Sequence, residues 1–100
     1  MNYKVNWSKR SQSDLDFIHE SIAEYSPSKA NKLIKAIFDK SDILYDHPKS
    51  GQKESGLAHH DKEFRYLVCQ NYKIIYAVFE QHVIIYTVFD TRQDPSKLRI

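Results

Sequence analysis

Cysteine is almost missing from this chain: Cys69 stands alone among 100 residues, so no internal disulfide can close. A packed core must hold the fold instead, which suits a reducing compartment such as the cytoplasm. Glycine is nearly as scarce, and both copies, Gly51 and Gly56, fall in one stretch, DHPKSGQKESGLAHHD over 46–61. With only Leu57 and Ala58 apolar, that stretch reads as a long surface loop, a kind of segment that often carries function. Long apolar runs are lacking too. The two longest, 74–79 and 83–89, fall far short of the ~20 residues a membrane helix needs. No charged-then-apolar leader follows Met1, so a soluble, cytoplasmic protein without a membrane partner is expected. Charge of one sign is also absent: 15 Lys and Arg against 13 Asp and Glu give a formal net charge of +2. That is too mild to imply nucleic-acid binding by itself. There is no internal repeat, linker or low-complexity tract.

What the chain does have is aromatic and β-branched weight, with seven tyrosines, five phenylalanines and one tryptophan. Its 41% hydrophobic and 28% charged residues are ordinary for one globular domain spanning residues 1–100. Residues 3–7 (YKVNW) alternate apolar with polar, the pattern of a strand with one buried face. Ser8 fits a helix N-cap, and Leu15, Ile18, Ile22 and Tyr25 follow at helical spacing as one stripe. Ser26-Pro27 ends that helix and opens the next, because proline at the first helical position has no amide to leave unpaired. Ala30, Leu33, Ile34, Ile37, Phe38 and Leu44 form the second stripe, stopped at His47-Pro48. Three strands follow over 64–69, 72–79 and 82–89, separated by Gln70-Asn71 and Glu80-Gln81.

The order predicts an α+β fold: an N-terminal strand, a helical hairpin, then a three-stranded antiparallel meander, with the helices on one sheet face. If both hairpin turns have two residues, period-two alternation sorts the side chains. Leu67, Cys69, Tyr72, Ile74, Tyr76, Val78, Val83, Ile85, Thr87 and Phe89 then face the helices, with Arg65 at their margin. Phe64, Tyr66, Val68, Lys73, Ile75, Ala77, Phe79, His82, Ile84, Tyr86 and Val88 share the other face. Once the helices are used on one side, this second face has no cover and reads as a surface meant for a partner. Poor behaviour of the isolated chain is the expected consequence.

The sequence resembles the RelE/ParE superfamily of toxins along roughly nine-tenths of its length. Tyr3-Lys4-Val5-Asn6-Trp7-Ser8, then Asp14-Leu15 and Ile18, is similar to the opening of those proteins. Ser26-Pro27 with Ala30 is similar to their second-helix start, and Leu44, Pro48 and Gly51 to their helix end and loop. Residues 72–78 (YKIIYAV) resemble their central strand, and 88–95 (VFDTRQDP) their closing segment. The resemblance implies a type II toxin neutralised by a cognate antitoxin, linked to growth arrest and plasmid stabilisation, and touching operator DNA only through that antitoxin. No cofactor and no metal are implied.

Two mechanisms divide the superfamily. RelE-like members cut mRNA on the ribosome with basic residues, whereas ParE-like members poison DNA gyrase. The lysine pair of the RelE pattern is replaced here by Phe64 and Tyr66, and the tail after Arg92 has no tyrosine. Lys73 and Arg92 do fall at or near basic positions of the family. RNA cleavage needs a base, an acid and cations for the phosphorane charge, and only the cations are evident, so catalytic residues stay unassigned. The resemblance therefore points to a ParE-like gyrase poison. The alternative is a ribosome-dependent mRNA endoribonuclease, and a weaker one is a non-toxic co-repressor that only binds its antitoxin. Target-contact candidates are Lys73, Arg92, Tyr66, Tyr86 and Arg65; antitoxin-binding candidates are Phe64, Ile75, Phe79 and Ile84. Plainer readings stand beside them: Lys73 as a snorkelling strand lysine, Arg92 as a local ion-pair partner of Asp90 or Asp94, and Arg65 as cover for the sheet margin. His59-His60-Asp61 with His47 lacks metal-site spacing, and Cys69 reads as a small core residue.

Overall fold

Two serines set where the helices begin. The Ser8 hydroxyl accepts from the Ser11 amide at 3.0 Å, and the Ser26 hydroxyl accepts from the Lys29 amide at 3.2 Å. Each satisfies one amide of a first turn that has no carbonyl partner. The computed structural model describes residues 2–100. After strand β1 (Lys4–Trp7) come α1 (Lys9–Ala23) and α2 (Pro27–Ser41), with Pro27 in the first turn of α2. A 3-10 turn (Asp42–Tyr45) then runs out before Pro48. Strand β2 (Gln52–Lys53) and a second 3-10 turn (Ser55–Leu57) lie within the long loop. The meander β3 (Phe64–Cys69), β4 (Tyr72–Phe79) and β5 (His82–Asp90) follows, and the tail holds a third 3-10 turn (Pro95–Lys97).

The sheet has five strands in the order β1-β5-β4-β3-β2. The helical hairpin is the crossover that lets β1 lie parallel to β5, with Val5 opposite Val83 and Trp7 opposite Ile85. The other pairings are antiparallel. Both hairpin loops have two residues, as the alternation requires: Cys69 pairs with Tyr72 and Phe79 with His82. The extra edge strand β2 was not expected. Two residues are too few for a legible alternation, and both of its side chains are exposed.

The main core packs Leu15, Ile18, Leu33, Ile37 and Leu44 of the helical layer against Leu67, Ile74, Tyr76, Val83 and Ile85 of the sheet. The expected division of faces holds as far as Thr87, whose hydroxyl bonds to Asp14 of α1, and then fails. A bulge lets Tyr76 pair with Ile85 while the next β4 residue, Ile75, pairs with Thr87, so Tyr86 is extra. One extra residue inverts the alternation that follows it. Val88 therefore joins the helix-side core, whereas Phe89 lies opposite Lys73. Tyr25 and Phe38 also leave their predicted stripes: Tyr25 falls beyond the last turn of α1 and is exposed, and Phe38 is partly exposed against the Trp7 ring.

The second sheet face is not open, which corrects the largest expectation about this surface. Leu57, Phe64, Ile75 and Ala77 form a small second core, with Tyr66, Phe79, Tyr86 and Leu98 packed around it. Leu57 comes from the polar loop and Leu98 from the tail. Alternation within strands cannot report that a lone leucine elsewhere folds back as a lid. Burying one such side chain stabilises by about 1.5–3 kcal/mol, enough to hold a short loop down.

Candidate functional site

Lys73 projects from β4 toward the long loop, and its ammonium donates to Glu54 Oε1 at 2.8 Å. The same ammonium sits 4.2 Å from the centre of the Tyr66 ring, within cation–π range. The second carboxylate oxygen of Glu54 accepts from the Gly56 amide at 2.9 Å. Glu54 is the more enclosed partner, its side chain 6% exposed against 28% for Lys73.

The loop that delivers Glu54 is fastened at its base. The buried Tyr76 hydroxyl accepts from the Gly51 amide at 2.9 Å. Glycine is required there by space: a Cβ would stand 2.5 Å from the Tyr76 oxygen and 2.6 Å from the Tyr66 carbonyl. Burial pushes the Tyr76 hydroxyl pKa up, partly opposed by the Gly51 bond. Arg65 donates to the Gly51 carbonyl at 2.8 Å and the Lys49 carbonyl at 3.2 Å, and pairs with Glu63 at 3.0 Å. Lys53 takes the other Glu63 oxygen at 3.2 Å. The Tyr66 hydroxyl donates to the Gln52 side chain at 3.1 Å, and Tyr86 stands edge-on to Phe64 with ring centres 5.3 Å apart.

Set against the sequence candidates, these contacts divide the list. Lys73, Tyr66 and Tyr86 come together on the second face, whereas Arg65, opposite Tyr76 in the register, stands at the margin of the helix-facing side; each is engaged with the loop or the second core. Phe64 and Ile75 are buried within that core, and Phe79 and Ile84 are half-buried. The two buried side chains therefore offer a partner no surface in this state.

Arg92 stands apart from them. Its guanidinium donates to both carboxylate oxygens of Asp90, at 3.0 and 2.9 Å, and its backbone amide adds a third bond to Asp90 at 2.9 Å. The guanidinium holds the Asp90 carboxyl below the usual carboxylate range. Arg92 borders a groove of about 270 Å³ between α1 and the end of β5, where Phe17, Ile22, Tyr25, Tyr72 and Asp90 meet. Phe17 is 71% and Tyr25 76% exposed. At its base an oxygen of Asp14 accepts from the Thr87 hydroxyl and from the Val88 amide, tying α1 to β5 just past the bulge.

Sequence reasoning missed Glu54, Phe17 and Asp14 as members of these sites. Phe17 had a signal, since it is a large aromatic off the Leu15–Ile18–Ile22 stripe. Glu54 had none. Among the described residues, no three His, Cys, Asp or Glu side chains converge to hold a metal ion. The His59 and His60 rings lie tilted to each other with centres 4.8 Å apart, and His60 stands edge-on to Phe64. Burial pushes the Cys69 thiol up, slightly opposed by Lys40, which makes it a poor nucleophile. None of the described helices is long and apolar enough to cross a membrane. On the second face, then, the Lys73 cation and the Glu54 carboxylate neutralise each other.

A helical hairpin on one face of a sheet whose last three strands form a meander is the frame of a small RelE/ParE-superfamily toxin. The chain matches the family described as ParE toxin of type II toxin-antitoxin system, parDE, over residues 5–95, and it belongs to that family. Its fold is similar to the solved chromosomal ParDE TA system from P. aeruginosa, with a TM-score of 0.71 and 18% identity over 86% of this chain and 92% of that one. A looser likeness, TM-score 0.43 and 18% identity over 87% and 94% of the two chains, is to the YoeB dimer from Staphylococcus aureus. No curated relative matches it at the level of sequence.

Proposed function

We propose that this ParE-type toxin is neutralised by a cognate antitoxin and arrests growth by poisoning DNA gyrase, without phosphodiester chemistry of its own. The observation that carries the reading is the Glu54–Lys73 pair. A ribonuclease needs a free cation to meet the developing phosphorane charge and a base to activate the attacking hydroxyl. On this sheet face the lysine and the carboxylate consume one another, and Leu57 and Leu98 cover what lies beside them.

A poison of the binding type needs a shaped surface instead. The groove beside Arg92, with Phe17 and Tyr25 projecting, supplies aromatic and arginine side chains of the kind that dominate protein interfaces. The antitoxin reading rests on family membership and on the similar fold, whose relative is a ParDE toxin–antitoxin system. Contact with operator DNA then runs through the antitoxin, and the site of action is the cytoplasm. The test is a supercoiling reaction with purified gyrase and plasmid. The toxin is expected to inhibit supercoiling and to raise the amount of cleaved DNA held by the enzyme. Full supercoiling with no cleaved complex, at toxin concentrations that stop growth, would contradict the gyrase reading.

A further inference from the structure

On the second face, the Lys73 ammonium lies over the Tyr66 ring, and toward the other end of β4 the Lys62 ammonium lies 5.9 Å from the centre of the Phe79 ring. Cations interleaved with aromatic rings are the ingredients of a platform for single-stranded nucleic acid, where phosphates meet the cations and bases stack on the rings. Yet the Lys73 cation is spoken for within the chain by Glu54, just as Lys53 and Arg65, at the margin of the opposite face, share Glu63. Glu54 differs from Glu63 in kind. Glu63 is half-exposed, so its pairs are open to solvent and salt. Glu54 is buried, locked by the Gly56 amide, and carried by a loop fastened through Gly51 to Tyr76 and Arg65.

From this geometry we infer that Glu54 is an autoinhibitory contact. The second face retains an anion site, Lys73 over the Tyr66 ring, and the chain fills it with its own carboxylate, so that single-stranded nucleic acid is refused. Glu54 is thereby a specificity-determining residue: it keeps a protein-directed toxin off phosphodiester backbones. A phosphate would have to displace a buried carboxylate and lift the loop to reach Lys73. The inference rests on the proposed binding-type function only for its biological sense; its chemistry stands or falls separately from gyrase.

The experiment is fluorescence anisotropy with a labelled single-stranded RNA dodecamer at about 50 mM salt, using wild type, Glu54→Gln, Glu54→Ser and the Glu54→Gln/Lys73→Gln double variant. Glutamine keeps an oxygen for the Gly56 amide while releasing the ammonium. Glu54→Gln is expected to bind the RNA about three- to tenfold more tightly than wild type. Its log–log salt dependence should steepen by about 0.7, the increment of one further phosphate contact to a single strand. The double variant, which lacks the released ammonium, should return to the wild-type level.

Equal binding by a folded Glu54→Gln protein would overturn the inference. So would an equal gain in the double variant, because the added affinity would then not come from Lys73; where Glu54→Gln does not fold, Glu54→Ser is subject to the same two outcomes. A gain for an acidic peptide of equal charge, and none for RNA, would overturn the assignment to nucleic acid. Gyrase inhibition by Glu54→Gln, measured in parallel, separates failure of the latch from failure of the proposed target.

Discussion

Lys73 and Arg92 carry the same charge but keep different company, and the difference is testable residue by residue. Arg92 is itself exposed, bonded to the half-buried Asp90 carboxylate, and sits at the edge of the aromatic groove. Arg92→Ala should therefore reduce toxicity while moving stability by no more than about 0.5 kcal/mol, as surface substitutions do. Loss of stability matching the loss of toxicity in a thermal melt would count against a contact role. The same variant has a signature in the titration of Asp90. Because the folded pKa of Asp90 is depressed, chiefly by the Arg92 hydrogen bond, the turn's contribution is present at neutral pH and is lost as pH falls through that depressed value. Carboxyl NMR should show Asp90 titrating nearer the ordinary range once Arg92 is gone. Gly51 and Tyr76 mark the opposite case, a purely internal contact. Tyr76→Phe leaves the Gly51 amide buried without its acceptor and should cost about 1–3 kcal/mol in denaturant unfolding. Gly51→Ala should cost a similar amount by overpacking against the Tyr76 oxygen and the Tyr66 carbonyl.

Among the elements, the two hairpin turns hold stored strain. Gln70 and Glu80 sit at φ of 53° and 50°, in the left-handed region, where an L side chain costs about 1–2 kcal/mol. Glu80→Gly should relieve part of that cost and raise the melting temperature, offset by the greater freedom glycine has in the unfolded chain; a fall of several degrees would show that the turn is not under strain. The same elements show what the sequence made legible. Helix starts were readable because Ser8, Ser26 and Pro27 act within one turn of themselves. The meander was readable because its turns have two residues and its strands are long. The bulge at Tyr86 was not, since nothing local marks the extra residue, and it carried Val88 and Phe89 to the faces opposite those expected. Strand β2 and the role of Glu54 were equally invisible, because both depend on where a polar loop docks on the sheet. Arg92 was readable as a candidate from its place in the closing segment, but its company of Phe17 and Tyr25 depends on how α1 packs.

For the molecule as a whole, the second core changes the expected behaviour of the free toxin. Loop and tail cover much of the face that seemed to await a partner, so Leu57 becomes a test of self-sufficiency. Leu57→Ala should destabilise the chain by about 2–5 kcal/mol and increase binding of a hydrophobic dye, whereas the wild type should unfold in one cooperative step without antitoxin. An unchanged unfolding midpoint in Leu57→Ala would mean the loop does not close this face in solution. Under the proposed function, closure of that face by Glu54 and Leu57 separates a toxin that binds from one that cuts. The measurement bearing on it most directly is the fate of mRNA on translating ribosomes in a purified translation mixture, with primer extension to map cuts. The account predicts intact mRNA at toxin concentrations that inhibit gyrase; codon-phased cuts that vanish in Lys73→Ala, with gyrase unaffected, would contradict it.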